Sequence, residues 1–82
     1  MNKNEMNEII NNAQMIVNGY AFTQKKDNLL HIVSLHAPFH ALIVSKDGEV
    51  IETNMDDIEI SIVLNYWNRN KKTFSEAYAK VL

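Results

Sequence analysis

Two β-branched runs either side of Asp47-Gly48 limit the folds open to this chain more than any other feature. The stretch 29–53 reads Leu-Leu-His-Ile-Val-Ser-Leu, a break at His36-Ala37-Pro38-Phe39, His-Ala-Leu-Ile-Val-Ser-Lys, Asp-Gly, then Glu-Val-Ile-Glu-Thr. Asp-Gly between such runs is a strong hairpin signal, because a type I′ turn needs positive φ at both central residues. A two-residue turn also sets a register. It puts Lys46 opposite Glu49, Val44 opposite Ile51 and Leu42 opposite Thr53 on one face. Ser45 then faces Val50, and Ile43 faces Glu52, on the other. The first face is mostly apolar and ends in an opposite-charge pair, as a half-buried antiparallel sheet should.

The flanking segments build outward from this hairpin. Met6, Ile9, Ile10, Ala13, Ile16 and Val17 follow helical spacing and predict a helix over 3–17. Asn2 with Glu5 forms its capping box, and Asn18-Gly19 stops it. Tyr20–Gln24 reads as a strand hairpinned through Lys25-Lys26-Asp27-Asn28 onto Leu29–Leu35, with Pro38 in the next connection.

Thr53 or Asn54 then caps a helix whose first turn holds Asp56 and Asp57. Its inner stripe is Met55, Ile58, Ile62 and Tyr66, with Val63 and Trp67 alongside. Ile58–Ile62 alternates as a strand would, but the pattern runs on through Trp67 at helical spacing, which favours helix. Asn68–Lys72 reads as a polar connector. Thr73-Phe74-Ser75-Glu76 is a capping box for a last helix with Phe74, Ala77, Tyr78 and Val81 inside. The expectation is one α+β domain over residues 1–82: an N-terminal helix, a four-stranded antiparallel β-meander and two C-terminal helices.

Composition narrows the function classes. Eighty-two residues allow one modest core, burying roughly 60–65% of the unfolded chain's surface. A formal net charge of −2 and a pI near 5.8 argue against a dedicated nucleic-acid binder and against a membrane-surface role. With no cysteine there is no disulfide framework, thiolate metal site or thiol nucleophile. That suits a cytoplasmic protein. The polar start leading into an amphipathic pattern is not a signal peptide, and no apolar run reaches the ~18 residues of a membrane span.

His31, His36 and His40 fall within ten residues. His36 and His40 are the candidate metal ligands, because they flank a turn where two strand ends meet. A third donor would have to come from His31, Glu52 or Asp56, none at a spacing that demands it, so ordinary turn histidines are the expectation and no metal or other cofactor is assigned. Ser34 and Ser45 sit in no nucleophile elbow, and Asp56-Asp57-Glu59 is explained by the helix dipole. Both glycines have turn duties, which leaves no phosphate loop. No catalytic residue is assigned, and the chain is expected not to be an enzyme.

Arg69, Lys71 and Lys72 with Tyr66 and Trp67 would be the makings of a nucleic-acid surface. A solvated connector with the aromatics in the core is the plainer reading, so nucleic acid is not expected as a partner on its own. A sheet with two edges and apolar residues on both faces favours a protein partner or a second copy of the chain. Ile43, Val50, Trp67 and Arg69 are the candidate interaction residues.

The order of His36-Ala37-Pro38-Phe39-His40-Ala41, followed by Val63-Leu64-Asn65-Tyr66-Trp67, resembles small bacterial domains of unknown function with a histidine–proline–histidine motif. The resemblance spans residues 29–82. Such domains are commonly found near toxin–antitoxin-type genes, which implies a small regulatory or accessory protein. This chain lacks their doubled proline and third histidine and adds the helix at its start, so no residue role is carried over. The expected function is non-enzymatic protein–protein association, as a homodimer or accessory domain. The alternative is a small regulator acting on nucleic acid as part of a complex.

Overall fold

Asn18 and Gly19 both lie at positive φ, at 50° and 82°, and they, not Asp47-Gly48, form the type I′ turn. The computed structural model describes residues 3–36 and 38–81, with the backbone alone described at residue 6 and over 74–81. Helix α1 (Lys3–Asn12) is followed by strands β1 (Met15–Val17), β2 (Tyr20–Gln24), β3 (Leu30–Ser34), β4 (Ala41–Val44) and β5 (Val50–Thr53), then helix α2 (Asp57–Val81). The strands pair in chain order, all antiparallel, as one five-stranded meander. The α+β class and the antiparallel meander are as expected. The strand count and the number of C-terminal helices are not.

The extra strand comes out of the expected first helix. Met15-Ile16-Val17 pairs with Phe22-Ala21-Tyr20 across the Asn18-Gly19 turn. Asn-Gly is the preferred dipeptide for that turn, and Ile16 and Val17 are β-branched, so a strand is the better local solution than a helix ending in glycine. Helix α1 closes at Asn12, where the amide of Ala13 still donates to the Ile9 carbonyl.

At Asp47-Gly48 the turn has three residues. Ser45 N–H donates to Glu49 O at 2.9 Å, Gly48 N–H donates to Ser45 O, and only Gly48, at φ 86°, is left-handed. The Ser45 hydroxyl accepts from the amides of Asp47 and Glu49, and this local capping stabilises the longer loop. Leu42–Thr53 and Ile43–Glu52 pair as expected, but Val44 pairs with Val50, so Ile51 is the extra residue of a β-bulge. The bulge moves Val50 to the same side as Val44.

Residues 58–64 are helical, and α2 runs unbroken through Asn68–Lys72 to Val81. That segment has no glycine or proline, and Asn70 Nδ2 donates to Tyr66 O at 2.8 Å, one turn back. Polarity alone does not end a helix; it turns a face to water. Asp56 is the cap in place of Thr53 or Asn54, its Oδ1 accepting from Glu59 N–H at 2.7 Å. Thr53 Oγ donates to Ala41 O and accepts from Met55 N–H, and Asn54 Oδ1 accepts from Ala41 N–H, so both fasten the strand exit instead. The side chains of Phe74, Ala77, Tyr78 and Val81, and those of Asn2 and Met6, lie outside the described residues.

One face of the sheet packs under α2. Phe22, Ile32 and Leu42 form a cross-strand row with no solvent exposure, flanked by Leu30 and Val44 and closed by Val63 and Met55. Burying each large side chain contributes about 1.5–3 kcal/mol. Ile60, Leu64, Tyr66 and Trp67 complete the helix's inner face, whereas Ile58 and Ile62 are 73% and 44% exposed. The stripe is thus rotated from the expected one. On the opposite face, Ile16, Ala21, Val33 and Ala41 make one row, and Thr23, His31, Ile43 and Glu52 the next. Helix α1 meets the sheet at β2, where Ala21 is buried. Among the described residues no helix is long and apolar enough to cross a membrane.

Candidate functional site

Helix α2 has a cleft on each side. The first, of about 400 Å³, lies between its N-terminal half and the turns of β1–β2 and β3–β4, with Tyr20, His36, His40, Glu59 and Tyr66 in its wall. Glu59 is the third residue of α2, a position from which a glutamate often reaches back to its own cap. Here its carboxylate points across the molecule. His40 Nδ1–H donates to Oε1 at 2.5 Å and the Tyr20 hydroxyl donates to Oε2 at 2.7 Å. Both carboxylate oxygens are engaged, and the acceptor fixes the proton of His40 on Nδ1, leaving Nε2 as the ring's second functional atom.

Partial burial, then the Glu59 carboxylate holding the hydroxyl proton, raises the Tyr20 phenol to about 12. Its ring lies 6.1 Å from Tyr66 at 48°. His36 packs on Gly19: a Cβ there would stand 2.4 Å from Nε2 of the imidazole. Ser34 is buried, and its hydroxyl donates to His36 O and accepts from His36 N–H. That serine is a loop clamp and is not paired with a base.

His36 and His40, which flank the β3–β4 turn, both line this cleft. The third donors considered with them lie elsewhere. His31 and Glu52 are on the sheet's opposite face, and Asp56 caps α2. Among the described residues no group of three or more histidine, cysteine or carboxylate side chains is placed to hold a metal ion. Glu59 and Tyr20, which organise the cleft, were missed. Glu59 looked like one more carboxylate at a positive helix end, and nothing in Tyr20's neighbourhood marks its hydroxyl. His31 is partly buried, and that burial, followed by the Lys25 charge, lowers its pKa from the ordinary 6.5.

The second cleft, of about 730 Å³, lies along the other flank of α2 against the β2–β3 and β4–β5 turns. Lys46, Trp67, Asn68, Lys71 and Lys72 line it, with Asn28. Trp67 stacks on Phe22 at 6.1 Å and 19°, so one part of the indole belongs to the core and another to the groove. The four residues expected to make a binding surface are spread out. Ile43 is on the face away from α2, Val50 falls on Val44's side at 41% exposure, Trp67 is between core and groove, and Arg69 is exposed on α2.

The architecture defines a small α+β domain with a meander sheet covered on one face by a long C-terminal helix. The sequence profile of a family of unknown function, DUF7723, matches residues 3–74, and the chain belongs to that family. No curated protein and no solved structure matches it.

Proposed function

We propose that this chain is a small cytoplasmic, non-enzymatic interaction domain that associates through the face of its sheet turned away from α2, with a second copy of itself as the partner. One observation supports this most: the face carries Ile16 at 47% exposure at one edge and half-exposed Val33 and Ile43 at its centre. Ile51, at 54%, adds apolar surface at the β5 edge. Exposed apolar residues of this kind, beside the part of the face where α1 covers Ala21, suit a partner surface. Edge-to-edge pairing is a weaker route, because β5 is short, bulged and carries the exposed Glu52. The tightly paired cleft at Glu59 fits a fastening better than a reaction site, since both Glu59 oxygens are taken up by Tyr20 and His40 and the Ser34 hydroxyl is bonded to the His36 backbone.

Light scattering behind size exclusion, on untagged protein over a dilution series, tests this. A mass of about twice 9.5 kDa that falls on dilution is expected, with the transition moved to higher concentration by Ile43→Lys or Ile16→Glu. A single-chain mass at every concentration sinks the reading.

A further inference from the structure

The groove along the second flank of α2 is independent of the sheet face and brings together groups that lie far apart in the chain. Lys71 and Lys72 come from α2, and Lys46 from the β4–β5 turn. Among the described residues of the groove wall these three cations face one carboxylate, Asp47. None of the three lysines is in an ion pair with another described residue. In a chain of net charge −2 that is a local reversal of sign. Beside the lysines the wall includes Trp67, Asn28 and Asn68.

We propose that this groove binds a nucleotide, with its phosphate held by Lys46, Lys71 and Lys72 and its base against Trp67. Ammonium groups take phosphate oxyanions as point charges without demanding one geometry, and three from two elements can surround one phosphate. A planar base gains about 1–3 kcal/mol by stacking on an aromatic side chain, whichever base it is. Asn28 and Asn68 offer both donors and acceptors to base edges. The volume of about 730 Å³ is in the range of small-ligand sites. An acidic peptide would draw on the lysines alone, whereas a nucleotide draws on the aromatic surface as well. The arrangement also differs from the run of cations visible in the sequence, since Lys46 joins it from the sheet and Arg69 does not line it.

Trp67 is the sole tryptophan, so intrinsic fluorescence reports on the groove directly. The intact chain is titrated with adenosine monophosphate, with decathymidylate and with poly-glutamate, at about 50 mM and about 200 mM salt. Saturable quenching by a nucleotide is expected, at least tenfold weaker for Lys71→Ala with Lys72→Ala, two exposed positions whose replacement is checked by circular dichroism. With three lysines engaged, decathymidylate binding should fall roughly twentyfold between the two salt concentrations. Tight decathymidylate with weak mononucleotide identifies single-stranded nucleic acid as the source. Comparable affinities identify a free nucleotide. No quenching by either, equal quenching by poly-glutamate, or unchanged binding by the folded double variant overturns the proposal.

Discussion

Gly19 answers to two demands at once, a left-handed backbone and the absence of a Cβ under the His36 ring. Gly48 answers to the first alone, since a Cβ there would meet nothing within 4 Å. An L-residue at either position costs about 1–2 kcal/mol for the backbone. Gly19→Ala should therefore lower the urea midpoint more than Gly48→Ala, and adding His36→Ala should bring the two level. Equal losses from the outset would mean the ring contact carries no weight.

Tyr20 gives a pH signature at the same scale. Its folded pKa of about 12 lies above the ordinary 10, so between those values the unfolded chain gives up the proton first. The native state then binds more protons, and stability falls as pH rises. The contribution is whole below pH 10 and is lost toward 12. Urea midpoints for the natural chain and Tyr20→Phe should converge over that window, and a constant difference would contradict the assignment. The histidine pair of this cleft was legible because two like residues at close spacing stand out. Glu59 and Tyr20 were not, because their meeting depends on how α2 is rotated over the sheet, a tertiary fact with no local signature.

Among the elements, α2 shows where local rules hold and where packing overrides them. Asp56→Ala removes the side-chain acceptor for the Glu59 amide and should cost about 1 kcal/mol. Asp57→Ala, with dipole compensation alone to lose, should cost about 0.3–1 kcal/mol, and urea midpoints of the two variants separate these cases. Spacing favours helix over 58–64 without excluding a strand, and the structure decides for helix. Its continuity was not legible, because Asn68–Lys72 looks like a connector until Asn70 is seen bonded to Tyr66.

The strands tell a related story. Leu42–Thr53 and Ile43–Glu52 were readable from the hairpin, whereas the Ser45 hydroxyl shifted the turn and the bulge followed. Asn18-Gly19 carries a turn signal as strong as Asp47-Gly48. The same dipeptide also fits a helix stop, because Ile16 and Val17 continue the helical spacing of Ile9 and Ala13.

At the scale of the whole molecule, the proposed association face and the proposed groove lie on opposite sides of the sheet, so one can be filled without closing the other. Dimer formation and ligand binding should accordingly be separable, with Ile43→Lys acting on the first and Lys71→Ala with Lys72→Ala on the second. The α+β class was legible because the central hairpin and the helical spacing on either side of it are both present, even though Met15–Val17 and Ile58–Ile62 each fit either period. Which flank of α2 would gather the lysines was not, because Lys46 comes from a turn remote in sequence.

The strict chain-order pairing of the sheet also has a mechanical side. Tension applied through α1 and α2 reaches the sheet at its two outermost strands, and each of those is joined to the rest by one neighbour. Their backbone hydrogen bonds would then be loaded one after another, as a zipper opens, instead of all together in shear. A domain with this wiring should open strand by strand from the edges of its sheet when it is pulled through its two helices.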